Sequence, residues 1–341
     1  MTQTKVLCFD GTSPSGGFGY ISAGLLAETQ KRVTAEQPGV GVLDDVRAFV
    51  GTSAGSWNAL FLASQKNPSS ALANIVQYWQ ELDKSLSRTV SLRGGIGALS
   101  GASALLNSKK LRDFFIAFFG ARTKLGDLQH PVMITSFQLD TPGVPLRNWH
   151  ARVFDTTDPN SPDAEELVVD VALRSSAAPV LMPIYASLNN TGPGYVDGGV
   201  FANNPALVAY TKMLHHRSAG SLNFDEVLVL SLGNGEVPKY LSPRFRGGVA
   251  SWGYALWMLD VFKPLVAIDL MIEASMSLTT FQCRQLIGQA FHRMDPYLGK
   301  GIITSVVVAN AIEKLLAEPS TEQQLEQTVA WMSGSGWLAQ A

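Results

Sequence analysis

The chain predicts an α/β fold, a three-layer arrangement with a mainly parallel central sheet and helices on both faces. Three observations predict it. Short apolar runs of β character alternate with longer helical stretches, as a parallel sheet requires when each strand is returned by a crossover. The 341 residues are 46% hydrophobic, enough to cover both faces of a sheet. Two glycine-rich turns each join a strand end to a helix start, on the rim where open α/β sheets bind their ligands.

Taken in order, the first strand is expected at residues 5–9. It leads through "CFDGTSPSGGFGY" (8–20) into a helix over 22–33. A second strand at 46–50 runs through "GTSAG" into a helix over 53–64. Helices follow over 69–86 and 108–119. Between them "SLRGGIGALSGASALLNS" (91–108) has no clear period and reads as a surface loop or a flap. A third strand is expected at 131–137, and "TTDPNSPDAEE" (156–166) reads as a solvated, turn-rich loop. A helix over 168–176 precedes another over 204–216, with Asn204 as its N-cap and Pro205 at its first position. The fourth strand is 226–232. Helices are then expected over 250–286, broken at Pro264, and over 304–317 and 321–332. The tail "SGSGWLAQA" frays unless Trp331 and Trp337 dock on the body. One domain over 1–341 is expected, with its motifs in about 4–236 and a helical C-terminal part over about 240–341.

Composition narrows the function. Charged residues make up 16% of the chain, against about 25% on average. Such a chain has either a large core or a surface facing a membrane, a partner or a greasy ligand. The net charge is −2, with no basic stripe interleaved with aromatics, so nucleic-acid binding has no support. Cys8 and Cys283 have no metal-ligand spacing, and Cys8 sits in an apolar run as core packing would have it. No disulfide is needed, which fits a reducing, cytoplasmic location. The N-terminal apolar run is too short for a signal peptide. The most apolar stretch, 254–276, is interrupted by Asp260, Lys263, Asp269 and Glu273 and does not span a bilayer, which leaves peripheral contact with a membrane. The oligomeric state is not legible.

The chemistry begins at Gly51–Gly55, a G-x-S-x-G between a strand and a helix. Glycines suit a turn too tight for side chains at the flanking positions, and the helix start behind Ser53 offers N–H groups and positive dipole to a developing oxyanion. Ser53 is the expected nucleophile. Of five histidines, His215 and His216 read as the solvated end of a helix and His130 precedes Pro131 at a strand start. His150 carries no signal of its own. His292 alone has the chain order of a Ser–Asp–His hydrolase, with Asp260 or Asp269 between, yet Ser53 follows the second strand, too early for that fold. A carboxylate is the stronger candidate for the base. Asp197, in "GPGYVDGGVFANNPA" (192–206), is followed by Gly198 and Gly199 and flanked by Tyr195, Val196, Val200 and Phe201. Apolar surroundings would raise its basicity.

Together "GTSAG", "ALRSSAAPVLMP" (172–183), "DGGVFANNP" (197–205), "SLGNG" (231–235) and the glycine loop at 10–19 resemble the patatin-like phospholipase family, in its order and roughly its spacing over about 4–236. The resemblance implies a three-layer α/β/α fold and hydrolysis of acyl esters in lipids. It also implies a two-residue dyad without histidine, with Ser53 as nucleophile and Asp197 as general base. It places the oxyanion hole in the 10–19 loop, on the backbone of Gly16, Gly17 and Phe18. The rival readings of that loop fail. No register gives G-x-G-x-x-G, and a P-loop would need Lys and Ser/Thr where Gly17 and Phe18 stand. The loop departs from the family in its extra "TSPS" and in Gly19 where a basic residue belongs. No cofactor fingerprint or metal cluster appears in the sequence, and a Ser–Asp dyad needs neither. Acyl transfer through the same dyad, and a lipid-binding scaffold with a weakened site, stand as alternatives to hydrolysis.

Overall fold

A computed structural model describes residues 2–12, 18–86, 108–259, 265–299, 302 and 308–338. Its centre is a seven-stranded sheet: β1 (Gln3–Phe9), β2 (Val46–Thr52), β3 (Val132–Gln138), β4 (His150–Asp155), β5 (Tyr195–Asp197), β6 (Glu226–Leu232) and β7 (Phe291–Met294). Six strands lie in the order β4-β3-β2-β1-β6-β7, and β5 pairs with β3 off that path. The β3-β2-β1-β6-β7 run is parallel, whereas β4 and β5 are antiparallel to β3.

The helices form the outer layers. On one face lie α1 (Tyr20–Glu36), α2 (Ala54–Ala63), α3 (Pro68–Leu86), α4 (Lys109–Phe119), α5 (Val168–Ser175), α10 (Val308–Leu316) and α11 (Pro319–Ser335). The other face carries α7 (Ala206–Ser218) and α9 (Val266–Ile287). The short helices α6 (Gly199–Ala202) and α8 (Tyr254–Met258) lie between. Strand alternation divides the apolar residues between the two faces. Leu7, Phe9, Phe49 and Ile134 enter the larger core, while Val6, Cys8, Val50 and Met133 meet Ala206, Ala209, Met213 and Cys283 in the smaller one.

Several expectations change. Strands β4, β5 and β7 are additions, and β7 lies in the part expected to be helical. The helix expected from residue 204 begins at Ala206, with Asn204 Oδ1 accepting the Ala206 N–H at 3.0 Å. The expected 250–286 helix is present as α8 and α9, and Pro264 lies outside the described residues, as does the glycine-rich 91–107 stretch. The 156–166 loop is not wholly solvated, because Thr157 and Asp163 are buried. Asp163 accepts the Asp155 N–H at 2.9 Å and pairs with Arg152.

His216 corrects the expectation of a solvated helix end. It is buried, and its Nε2 lies 2.7 Å from Asp155 Oδ2, while His215 beside it is exposed. Burial pushes the Asp155 carboxyl up, but hydrogen bonds from Thr157 and His216 outweigh it and hold the group below the usual aspartate range. Trp337 docks rather than frays, fully buried with its indole N–H on the Val42 carbonyl at 2.7 Å. Among the described residues no helix is long and apolar enough to cross a membrane. Much of the apolar 250–276 region faces outward: Tyr254, Leu259, Leu270 and Met271 are exposed, and further along α9 so are Leu278 and Phe281.

Candidate active site

Sheet register brings Ser53 and Asp197 together. β2 pairs with the first half of β3, ending at Thr52 opposite Thr135. β4 takes the other edge of β3 through Gln138, so the edge β2 vacates is free for β5, whose Asp197 stands opposite Ser136. Asp197 therefore sits one β3 position beyond the end of β2, where the chain turns at Ser53. Two hydroxyls lock the junction. Thr52 Oγ1 donates to the Ala202 carbonyl at 2.6 Å and lies 2.7 Å from Thr135 Oγ1.

Ser53 adopts φ 52° and ψ −125°, a left-handed conformation that costs a residue with a Cβ about 1–3 kcal/mol. The turn lifts its side chain from the strand end and starts α2 at Ala54. First-turn N–H groups of a helix have no intrahelical acceptor, so the positive end of α2 opens beside Ser53. The close approach explains the glycines. A Cβ on Gly55 would stand 2.4 Å from the Phe9 carbonyl oxygen and 2.5 Å from that of Asp10.

The Ser53 side chain adjoins the Asp197 carboxylate, which accepts the Gly199 N–H at 2.7 Å. Burial raises the Asp197 pKa to about 6, against the pull of Ser53 and of the Gly199 hydrogen bond. Tyr195 and Val196 are buried beside it, as the sequence implied, but Val200 is half exposed. His292 is engaged elsewhere. Its Nε2 pairs with Thr328 Oγ1 at 2.9 Å and its ring stacks on Trp331. Burial lowers its pKa to about 4. His130 lies edge-on to Phe49, and His150 is exposed at the start of β4.

The glycine loop is held at both ends. At its start Gly11 donates its N–H to the Asn203 carbonyl at 2.8 Å. The Gly11 carbonyl accepts from Asn203 Nδ2 at 3.0 Å and from Asn234 Nδ2 at 3.3 Å, and Asn234 also holds the Asp10 carbonyl at 2.8 Å. At its end the Gly19 carbonyl accepts from Asn58 Nδ2 at 2.8 Å and from Ser22 Oγ at 3.0 Å. Ser22 Oγ reaches Asn234 Oδ1 at 2.9 Å, so one buried chain of hydrogen bonds links both ends. Of the expected oxyanion residues, Gly16 and Gly17 lie outside the described residues. Phe18 is described, its ring 57% exposed and stacked on Tyr20.

Ser175, Asn203, Asn234 and Asn58 had no role assigned from sequence. Ser175 Oγ accepts the Ser53 N–H at 2.9 Å. Its neighbour Ser176 accepts from the Trp57 indole at 2.7 Å, and the Asp197 N–H goes to the Ala177 carbonyl at 3.0 Å. The 172–183 segment thus holds both members of the Ser53–Asp197 pair. Three of the four residues lie inside motif strings legible in sequence, but nothing in a Ser or Asn distinguishes support from solvent exposure.

A family model described as patatin-like phospholipase matches residues 7–210. The Bacillus subtilis (strain 168) protein CotR is 28% identical over 333 residues, covering 92% of this chain and 93% of CotR. A cGAMP-activated phospholipase of Pseudomonas aeruginosa (strain BWHPSA011 / Pa011) is 30% identical over 178 residues, or 51% of this chain and 46% of that protein. Among solved structures, VipD from Legionella pneumophila aligns with 95% of this chain and 67% of its own, with a TM-score of 0.37 and 14% identity.

Proposed function

The chain belongs to the patatin-like phospholipase family, and from that premise we propose that it is a serine acyl hydrolase of lipid esters working through Ser53 and Asp197. One observation carries the proposal: the Ser53 turn set by sheet register against a buried carboxylate whose pKa is about 6. Ser53 Oγ adds to the ester carbonyl while its proton passes to Asp197. Collapse expels the alcohol, which takes that proton and leaves an acyl-Ser53. Water then adds to the acyl carbonyl, giving a proton to Asp197, and the fatty acid departs as Ser53 recovers its hydrogen. The backbone N–H groups of Gly16, Gly17 and Phe18 serve as oxyanion donors, with the first turn of α2 contributing its dipole.

The outward apolar residues of α9 support contact with a lipid surface beside this site. Ser275 of that helix donates to the Phe201 carbonyl at 3.2 Å, and Asn203 Nδ2 lies 3.0 Å from Met276 Sδ. Mass spectrometry of products from a panel of phospholipids, neutral lipids and thioesters tests the assignment, with candidate acyl acceptors present. Free fatty acid that disappears in Ser53→Ala is expected. Met271→Glu should lower turnover of vesicle-borne lipid more than turnover of a soluble ester. Acylated acceptor in place of free acid would make the chain a transferase, and lipid binding without turnover would make it a scaffold.

A further inference from the structure

We propose that Arg293 is a positioning residue for the Ser53 site, its buried guanidinium tying the end of β1 to β6 and β7 and holding the Gly11 backbone against Ser53. The inference rests on the reading of Ser53 as nucleophile. Arg293 lies outside the 7–210 span matched by the family model, in the C-terminal third of the chain.

Register puts it there. Arg293 of β7 stands beside Ser231 of β6, which stands beside Cys8 of β1. Side chains alternate along a strand, so Cys8 and Asp10 share the face toward which Arg293 reaches. Its Nη1 donates to Ser231 Oγ at 2.9 Å and to Asp10 Oδ1 at 3.3 Å, while Nη2 donates to Asp10 Oδ2 at 2.7 Å and to Asp295 Oδ2 at 2.5 Å. One planar fork therefore fixes three strand ends, a geometry that a lysine ammonium cannot reproduce. The side chains are 6%, 0% and 8% exposed for Arg293, Asp10 and Asp295, so water does not compete for these bonds. Buried ion networks are weak stabilisers against apolar replacements, so their best-attested use is to specify geometry.

Three links carry that geometry to Ser53. Asp10 adjoins Gly11, where an added Cβ would stand 3.1 Å from Ser53 Cβ and 2.3 Å from Asn203 Oδ1. Gly55, in the first turn of α2, packs directly on the Phe9 and Asp10 carbonyls. Movement of the β1 end therefore moves both the loop and the helix start. A third link runs through Asp295, whose Oδ1 accepts the Gly235 N–H at 2.8 Å and so fixes the turn that carries Asn234. Burial pushes the Asp10 carboxyl up to about 7 despite the pull of Arg293, so losing the guanidinium would leave a group that water cannot stabilise in place.

The test is the rate of Ser53 labelling by a fluorophosphonate, in which the Ser53 Oγ–P bond forms, fluoride leaves and the serine proton passes to Asp197. Saturation kinetics separate the bonding step, kinact, from reagent affinity, KI. Arg293→Lys keeps the charge and is expected to lower kinact on the order of 10²-fold with KI little changed, the scale of a misplaced reacting group. Ser231→Ala removes one guanidinium contact and no charge, and is expected to give a smaller fall of the same kind. It decides the matter if Arg293→Lys fails to fold. Wild-type kinact in folded Arg293→Lys, or in Ser231→Ala where the lysine variant does not fold, would overturn the proposal. Labelling that persists in Ser53→Ala would instead remove the nucleophile reading itself.

Discussion

In water an aspartate carboxylate takes up a proton only near pH 4, which makes it a poor acceptor for a serine hydroxyl. Asp197 is moved toward usefulness by burial, and Ser53 together with the Gly199 hydrogen bond keeps the shift moderate at about 6. Below that pH the carboxyl carries a proton and cannot accept another, so turnover should fall as pH drops through about 6 and level off above it. The pH profile of kcat/KM for a soluble ester checks this. A rate undiminished at pH 5 would contradict the assignment of Asp197 as base. The same scale shows what sequence could convey. Ser53 and Asp197 stood out because their neighbours were glycines in a legible order, whereas Arg293 and Asp10, 283 positions apart, share no local pattern.

Elements, more than single residues, explain how the site is assembled. The strand that delivers Asp197 has only three residues and is recruited by an edge of β3 that β2 leaves open. Nothing in "YVD" announces a strand, since three residues give no alternation to read. β7 was hidden for a related reason, because "FHRM" places polar His292 and Arg293 at its centre. The other parallel strands, β1, β2, β3 and β6, were legible as continuous apolar runs buried on both faces. At this scale Ser175, the last residue of α5, braces the turn by accepting the Ser53 N–H. Ser175→Ala leaves that donor without its partner and should destabilise the protein by about 1–3 kcal/mol in chemical denaturation. It should also lower kcat with little change in KM, because the φ 52° turn would relax. Unchanged kcat would show that the turn holds its shape without Ser175.

Across the whole molecule the two sheet faces carry unequal loads. The larger core gathers residues from α1 to α5 and from α10 and α11, ending with Trp337 and Leu338, while the smaller one rests on α7 and α9. The candidate site lies on the rim between them, which is why both α2 and α9 reach it. Alternation of strand and helix made the layers readable, but the union of the C-terminal third with the site was not, since it depends on side chains meeting across strands. The proposed hydrolysis stands on Ser53 forming a covalent acyl-enzyme with help from Asp197. Peptide mass spectrometry after acid quench of a slow ester reaction measures this most directly. An acyl adduct on the peptide containing Ser53, absent in Ser53→Ala and formed at least about 10²-fold more slowly in Asp197→Asn, is the expected result. An adduct on another residue, or one formed at the wild-type rate in Asp197→Asn, would contradict it.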